Sequence, residues 1–234
     1  MTSIGFSTGA LFKEQLEKGV ALSAQLRLPA IELSALRLRE LPALLDFVRN
    51  HDLKSFAHVS VHTPTNFTED DEAAVASALF TSVHDRQWLV VVHPDCIVDS
   101  NAWKPFGDRL CIENMDRRKA TGRTVAELEA VFERLPFARM CLDLAHARQV
   151  DTTMTEAYRI IRRFKDRIAQ IHISELTSAS KHERLSDSAI GSFREVAGYL
   201  PEVPVILESP VAPEDALIEL ERASRVFSAA MATA

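Results

Sequence analysis

The feature that most constrains this chain is a short, apolar, β-branched segment that recurs along its whole length. Eight such segments predict strands at Ile4–Ser7, Ala30–Ser34, Phe56–His62, Leu89–His93, Leu110–Glu113, Met140–Asp143, Ile168–Ser174 and Val205–Glu208. Several are continuously apolar rather than alternating, the pattern of parallel strands covered on both faces. Helical periodicity falls between most of them: Phe12–Leu26, Leu38–Val48, Asp71–Val83, Thr124 to Phe132, Thr155–Phe164, Phe193–Leu200 and Pro213–Phe227. Thr124-Val125-Ala126-Glu127 is a capping-box pattern. Asp71–Val83 opens on acids, and Pro213 stands just inside its helix with Glu214 and Asp215 behind it.

Strands alternating with helices imply a parallel sheet with right-handed crossovers. Eight units in 234 residues are roughly 29 residues each, which predicts a compact (β/α)8 TIM barrel, a fold usually of about 250 residues. A doubly wound open sheet is the alternative, but no glycine-rich dinucleotide loop follows the first strand. The stretch between His93 and Leu110 is short and broken by Pro94, Pro105 and Gly107. The fourth helix is therefore expected to be missing or reduced to a turn. No Pro/Gly/Ser-rich linker interrupts the chain, so residues 1–234 read as one domain.

Composition excludes several classes. With 47% hydrophobic and 26% charged residues, the chain is neither disordered nor of low complexity. Three cysteines, an odd number, argue against a secreted disulfide scaffold and for the cytoplasm. The first five residues carry no secretory signal pattern, and the longest apolar runs are far too short to span a bilayer. A formal charge of −6 disfavours a general nucleic-acid binder, although local charge overrides a net value. The apolar-rich tail, residues 229–234, is either disordered or docks on a partner, and oligomeric state stays open.

What ends the strands is chemically informative. The second contains Glu32; the others end at or near His62, His93, Glu113, Asp143, His172 and Glu208. In a closed barrel these C-terminal ends converge on one mouth. A lone strand-end histidine is more often structural than a ligand, but seven such ends together have no packing explanation. Carboxylates at that density would repel one another and lose their charge unless cations neutralise them. Divalent metal ions are the simplest answer; histidine nitrogen with carboxylate oxygen suits zinc first, with manganese, iron or cobalt as alternatives. His51, His58 and His84 read as structural, Glu32 as either mouth or barrel interior, and Cys111 and Cys141 as packing residues. Cys96, close behind His93, has little to activate it.

Four segments in order, Cys111-Ile112-Glu113-Asn114-Met115, Leu142-Asp143-Leu144-Ala145-His146-Ala147, Ile171-His172-Ile173-Ser174-Glu175 and Ile206-Leu207-Glu208, resemble the xylose-isomerase-like TIM barrels. That superfamily includes sugar isomerases and epimerases and the endonuclease IV type of abasic-site nuclease (AP endonuclease family 2). The isomerase branch implies one metal held by Glu113, Asp143, His172 and Glu208. Its two glutamates would move protons to and from the sugar carbon, and His146 would contact substrate. The endonuclease IV branch implies three zinc ions held by His62, His93, Glu113, Asp143, His146, His172, His182 and Glu208, with Asp187–Gly191 matching a loop. Its further aspartate, two residues before His182, is replaced here by Ser180, which puts the third ion in doubt. His62 and His93 favour the multinuclear branch, because a mononuclear isomerase does not need them.

The multinuclear option implies hydrolysis of a phosphoester or related bond, with Glu113 placed to bridge metals or orient the attacking water; across the two branches the catalytic candidates are Glu113, Glu208 and His146. Arg117, Arg118, Lys119, Arg123, Lys181 and Arg184, with Arg148 nearby, are candidates for holding an anionic group, against the reading that they are a solvated charge cluster. The acidic stretch from Glu69 to Glu72 and the short chain disfavour duplex DNA and favour a small anionic or sugar-like substrate. A mononuclear sugar or sugar-phosphate isomerase or epimerase is the alternative. A degenerate ligand-binding barrel and an iron-dependent oxidation centre are further alternatives.

Overall fold

The computed structural model describes residues 3–228; residues 1–2 and the apolar-rich tail, residues 229–234, lie outside the described residues. In chain order the strands are β1 (Ile4–Ser7), β2 (Ala30–Ser34), β3 (His58–His62), β4 (Leu89–Val92), β5 (Leu110–Glu113), β6 (Arg139–Asp143), β7 (Ile168–Ile173), β8 (Glu175–Leu176), β9 (His182–Glu183) and β10 (Val205–Leu207). Eight of them close a parallel barrel in the order β1-β10-β7-β6-β5-β4-β3-β2, while β8 and β9 form a small antiparallel pair. Closure depends on Gly5, which pairs with Ala30: a Cβ there would fall 1.8 Å from the Ala30 carbonyl oxygen, so only glycine lets β1 and β2 approach.

The helices are α1 (Thr8–Leu11), α2 (Leu16–Gln25), α3 (Leu41–Asn50), α4 (Glu69–Val83), α5 (Ser100–Trp103), α6 (Val125–Arg134), α7 (Leu144–Val150), α8 (Thr155–Phe164), α9 (Asp187–Ala197) and α10 (Ala216–Phe227). Outward strand residues such as Val59 and Val61 pack against this ring, and one contiguous apolar cluster runs from Phe6 to Val226. Inside the barrel a second, small apolar cluster of Val91, Cys111, Cys141 and Ala169, with Leu89 against it, lies apart from this core. Among the described residues no helix is long and apolar enough to cross a membrane.

The expected reduction of the fourth unit is present. Between β4 and β5 there are only a turn at Pro94–Cys96, the four-residue α5 and a 3-10 segment, Lys104–Arg109. Buried Glu72 on α4 anchors this stretch, accepting hydrogen bonds from Trp103 Nε1 at 2.7 Å, Asp99 N at 2.9 Å and Val98 N at 3.1 Å.

Several boundaries differ from the sequence expectation. The helix expected at Phe12–Leu26 starts at Leu16, because Glu14 adopts a left-handed backbone conformation (φ 58°). The one expected from Asp71 starts at Glu69, since Thr68 caps it and Asp71 reaches back to Thr68. The segment expected at Phe193–Leu200 is α9, which begins at Asp187: Ser186 caps it by accepting from Ala189 N. The residues Asp187–Gly191 are therefore helical, not a loop. At Thr124 the cap forms, but Glu127 binds Arg123 rather than closing the box.

Candidate metal centre

Six of the eight barrel strands deliver a polar side chain to the mouth, and local hydrogen bonds orient several of them. His62 closes β3 and its Nδ1 lies 2.8 Å from the Thr63 carbonyl oxygen. Its Nε2 faces Glu113 Oε2 at 3.0 Å, donating to that carboxylate when the ring is protonated and offering a lone pair when a cation takes the proton's place. His93, just after β4, brings its Nε2 within 3.2 Å of the same oxygen. The other Glu113 oxygen lies 3.2 Å from His172 Nδ1 and 3.4 Å from His146 Nδ1. Asp143 ends β6 and also caps α7, Oδ1 accepting from His146 N at 2.6 Å. Glu208 follows β10, its Oε2 3.5 Å from His172 Nδ1 and 3.8 Å from His182 Nδ1.

Among the described residues these side chains form two groups whose ligand atoms lie within 4.8 Å of one another: His62, His93 and Glu113, and Glu113, Asp143, His172 and Glu208. Glu113 belongs to both. His146 and His182 belong to neither; their rings stand 6.0 Å apart. His146 is held by Nδ1–H donation to the Asn114 carbonyl oxygen at 2.9 Å, and His182 Nδ1 pairs with Ser174 Oγ at 2.9 Å. The hydroxyl of Ser180, where a carboxylate was expected, donates to Gln149 Oε1 at 2.7 Å and Asp116 Oδ1 at 3.2 Å.

The electrostatics are those of a buried cluster short of positive charge. Burial opposes the charged form of His62, but the adjoining Glu113 carboxylate outweighs it and raises the imidazole to about 9. Burial likewise opposes charge on His146 and His172, which Asp143, Glu113, Glu32 and Glu208 nonetheless raise. Burial lowers His93 and His182. Against burial, neighbouring imidazoles hold Glu113 and Glu208 below the usual carboxylate range. Burial drives Asp143 the other way, up to about 7. Asp143 Oδ2 and Glu208 Oε2 are buried without hydrogen-bond partners, and orphaned carboxylate oxygens beside imidazole nitrogens are the donor set a divalent cation satisfies.

The structure also shows what the sequence reading missed. Asn114 stitches β5 to β6, its amide donating to the Asp143 carbonyl oxygen at 2.9 Å while its Oδ1 accepts from Asp143 N at 2.8 Å. Gln170 lies two positions before His172, hence on the same strand face; Glu32, which the sequence left between mouth and barrel interior, is fully buried inside the barrel. Around the rim most of the expected cations are already engaged. Arg118 grips Asp116 at 2.9 Å, Lys119 pairs with Asp95 at 2.6 Å, Arg123 with Glu127 at 2.7 Å, Arg148 with Glu175 at 2.6 Å and Arg184 with Asp215 at 2.8 Å. Arg117 instead donates to the Ser178 carbonyl oxygen, at 2.7 Å, and Lys181 is exposed. His51, His58 and His84 have structural partners, Phe47, Gln170 and Thr81. All three cysteines are free and buried, and burial pushes the Cys96 thiol up to about 12.

No family model and no curated protein matches the chain. Solved structures do. Endonuclease IV from Thermus thermophilus superposes with a TM-score of 0.69 at 20% identity, over 99% of this chain and 100% of that one. A xylose isomerase domain-containing protein from Salmonella typhimurium gives 0.65 at 12% identity, over 97% of each chain. The 3-keto-D-glucoside 4-epimerase of E. coli gives 0.60 at 12%, over 97% of this chain and 99% of that one. Identities this low establish a shared fold. Because the first alignment spans that whole chain, length alone does not set this protein apart from an endonuclease IV.

Proposed function

Taking as premise that the chain has the fold of the xylose-isomerase-like TIM barrels, we propose that it is a divalent-metal-dependent hydrolase that cleaves a phosphoester or related bond in an anionic substrate. One observation carries this reading: Glu113 is shared by two ligand groups, one of them built from His62 and His93. A carboxylate shared by two such groups would suit a pair of ions. Ions bound there, zinc first, would stabilise negative charge building on the bond being hydrolysed and acidify water.

The chain's own residues perform the rest. Glu113 holds the two groups at a fixed separation, one oxygen toward His62 and His93 and the other toward His172. Glu208 offers one carboxylate oxygen to the second group, and its other oxygen accepts the proton from the attacking water. His146, its Nδ1–H committed to Asn114, presents Nε2 to the substrate. Arg117 and Lys181 take the anionic group, because Arg118, Lys119, Arg123 and Arg184 are paired with carboxylates. These engaged cations and the acids at the start of α4 favour a small anionic substrate over a duplex backbone.

The test is metal content together with turnover. Zinc- or manganese-loaded protein is expected to retain two ions per chain and to hydrolyse bis(p-nitrophenyl) phosphate. Glu113→Ala is expected to lose both ions, and Glu113→Gln to lower turnover at least ~100-fold, as removal of a key electrostatic group does. One ion per chain, unaffected by His62→Ala and His93→Ala, would sink the hydrolase reading.

A second reading draws support from the Glu113, Asp143, His172 and Glu208 group, which is complete without the histidine pair. A single ion there, with Glu113 and Glu208 as proton-transfer pair, would serve a sugar or sugar-phosphate isomerase or epimerase. Deuterium incorporation from heavy water across a sugar-phosphate panel identifies it.

A further inference from the structure

His172 stands between two sets of carboxylates. Its Nδ1 faces Glu113 and Glu208 in the mouth, at 3.2 and 3.5 Å. Its Nε2 faces the barrel interior, 3.1 Å from Glu32 Oε2. Glu32 sits at the middle of β2, has no exposed surface and belongs to neither ligand group. Its Oε2 collects three donors from two strands: Ser60 Oγ–H of β3 at 3.0 Å, and Gln170 Nε2–H at 2.7 Å and the imidazole of His172, both of β7. Gln170 is itself fixed from beyond, its Oε1 lying 2.7 Å from His58 Nε2. Gln170 Nε2 also lies 2.8 Å from His172 Nε2, so the amide and the Glu32 carboxylate compete for that nitrogen, and a proton on it favours the carboxylate as the stronger partner. The interior of the barrel is thus a polar stack that converges on one imidazole.

A carboxyl group with no exposed surface is expensive to bury, and packing gives no reason to place one there. An imidazole that must offer a lone pair to a cation through one nitrogen has to carry its proton on the other, and a carboxylate behind the ring is the group that fixes this choice. We propose that Glu32 is a positioning residue of the metal centre: by accepting the Nε2 proton of His172, it holds Nδ1 as the ligand atom facing Glu113 and Glu208. Ser60 and Gln170 keep the Glu32 carboxylate in place, so the acceptor is preorganised. The inference rests on the metal-centre reading above and adds a residue that the mouth alone does not reveal.

The experiment uses the full chain and zinc. In a His62→Ala background, which leaves the Glu113, Asp143, His172 and Glu208 group intact, zinc affinity is measured by competition with a chromophoric chelator, with and without Glu32→Gln. Loss of the carboxylate behind a ligating histidine is expected to weaken binding about 10–100-fold. Long-range 15N correlation spectra of the zinc-loaded wild type are expected to show His172 ligated through Nδ1 with a proton on Nε2. That spectrum needs no variant, so it decides the matter even if Glu32→Gln fails to fold. Ligation through Nε2, or unchanged zinc affinity in Glu32→Gln, overturns the inference. A wild-type protein that takes up no zinc defeats the metal-centre reading itself, whereas one that binds zinc indifferently to Glu32 defeats only this step.

Discussion

At the scale of single residues, the mouth is a contest between protons and cations for the same atoms. His62 rises to about 9 in the fold from an ordinary 6.5. The stability this contributes is fully present below 6.5 and is lost as pH climbs through 9. Asp143, raised to about 7 from 3.8, contributes stability that is present below 3.8 and lost as pH rises through 7. Glu113 and Glu208 are depressed below 4.5, so their contribution is present above that value and lost in acid. Protein stripped of metal should therefore melt lower at pH 9 than at pH 7, by several degrees, whereas protein in excess zinc should bind more tightly over the same interval as the competing protons leave. Melting curves at both pH values, with and without zinc, check this; a stripped protein that is more stable at pH 9 contradicts it. The same residues show how much of the site was legible in the sequence. Imidazoles and acids at strand ends announce themselves, because barrel topology sends strand ends to one place. Asn114 and Gln170 do not, because an amide has no charge to explain away, and Glu32 was ambiguous because a strand's register inside a barrel is not written in its composition. The carboxylate pairings of Arg118, Lys119 and Arg123 depend on loop paths that periodicity does not constrain.

At the scale of elements, the strands were legible and several helix starts were not. Continuous apolar runs such as Leu89–Val92 have one way to be buried, whereas a helix start turns on a single cap. Ser186 begins α9 well before the apolar pattern at Phe193 becomes evident, and α7 exists because Asp143 serves at once as strand end, mouth carboxylate and cap. The shortened fourth unit is stabilised by a different device. Without a full helix to cover β4 and β5, the stretch around α5 is pinned by Glu72, which accepts from Trp103 Nε1 and two backbone amides, with the Trp103 ring stacked 5.8 Å from Phe106. Glu72→Ala strips these donors of their acceptor while Trp103 stays fully buried. The expected loss is roughly 3 kcal/mol, or about 6–12 °C in melting temperature for a domain of this size. Thermal denaturation at neutral pH measures it, and a shift under about 2 °C, roughly half a kcal/mol, would mean the strap is held by apolar packing alone.

At the scale of the whole molecule, the two ligand groups tie the barrel together across its mouth. The first joins β3, β4 and β5; the second joins β5, β6, β7 and the end of β10. Together they engage six of the eight barrel strands, and the remaining pair, β1 and β2, meets tightly through Gly5 and Ala30. Unfolding separates those six strands, so the unfolded chain cannot keep either group assembled, and any ion held by the native state stabilises it by mass action. At a free concentration about a thousandfold above the dissociation constant, one ion adds about 4 kcal/mol, which corresponds to roughly 8–16 °C in this size range. Chelation of zinc-loaded protein should therefore lower the melting temperature by at least that much, and re-addition should restore it. Because Glu113 stands in both groups, Glu113→Ala should abolish the response to zinc altogether, while His62→Ala should leave the share contributed by the second group. A Glu113→Ala protein that keeps the full zinc-dependent shift would place the stabilising ions elsewhere on the molecule and remove the physical basis for a shared centre at the barrel mouth.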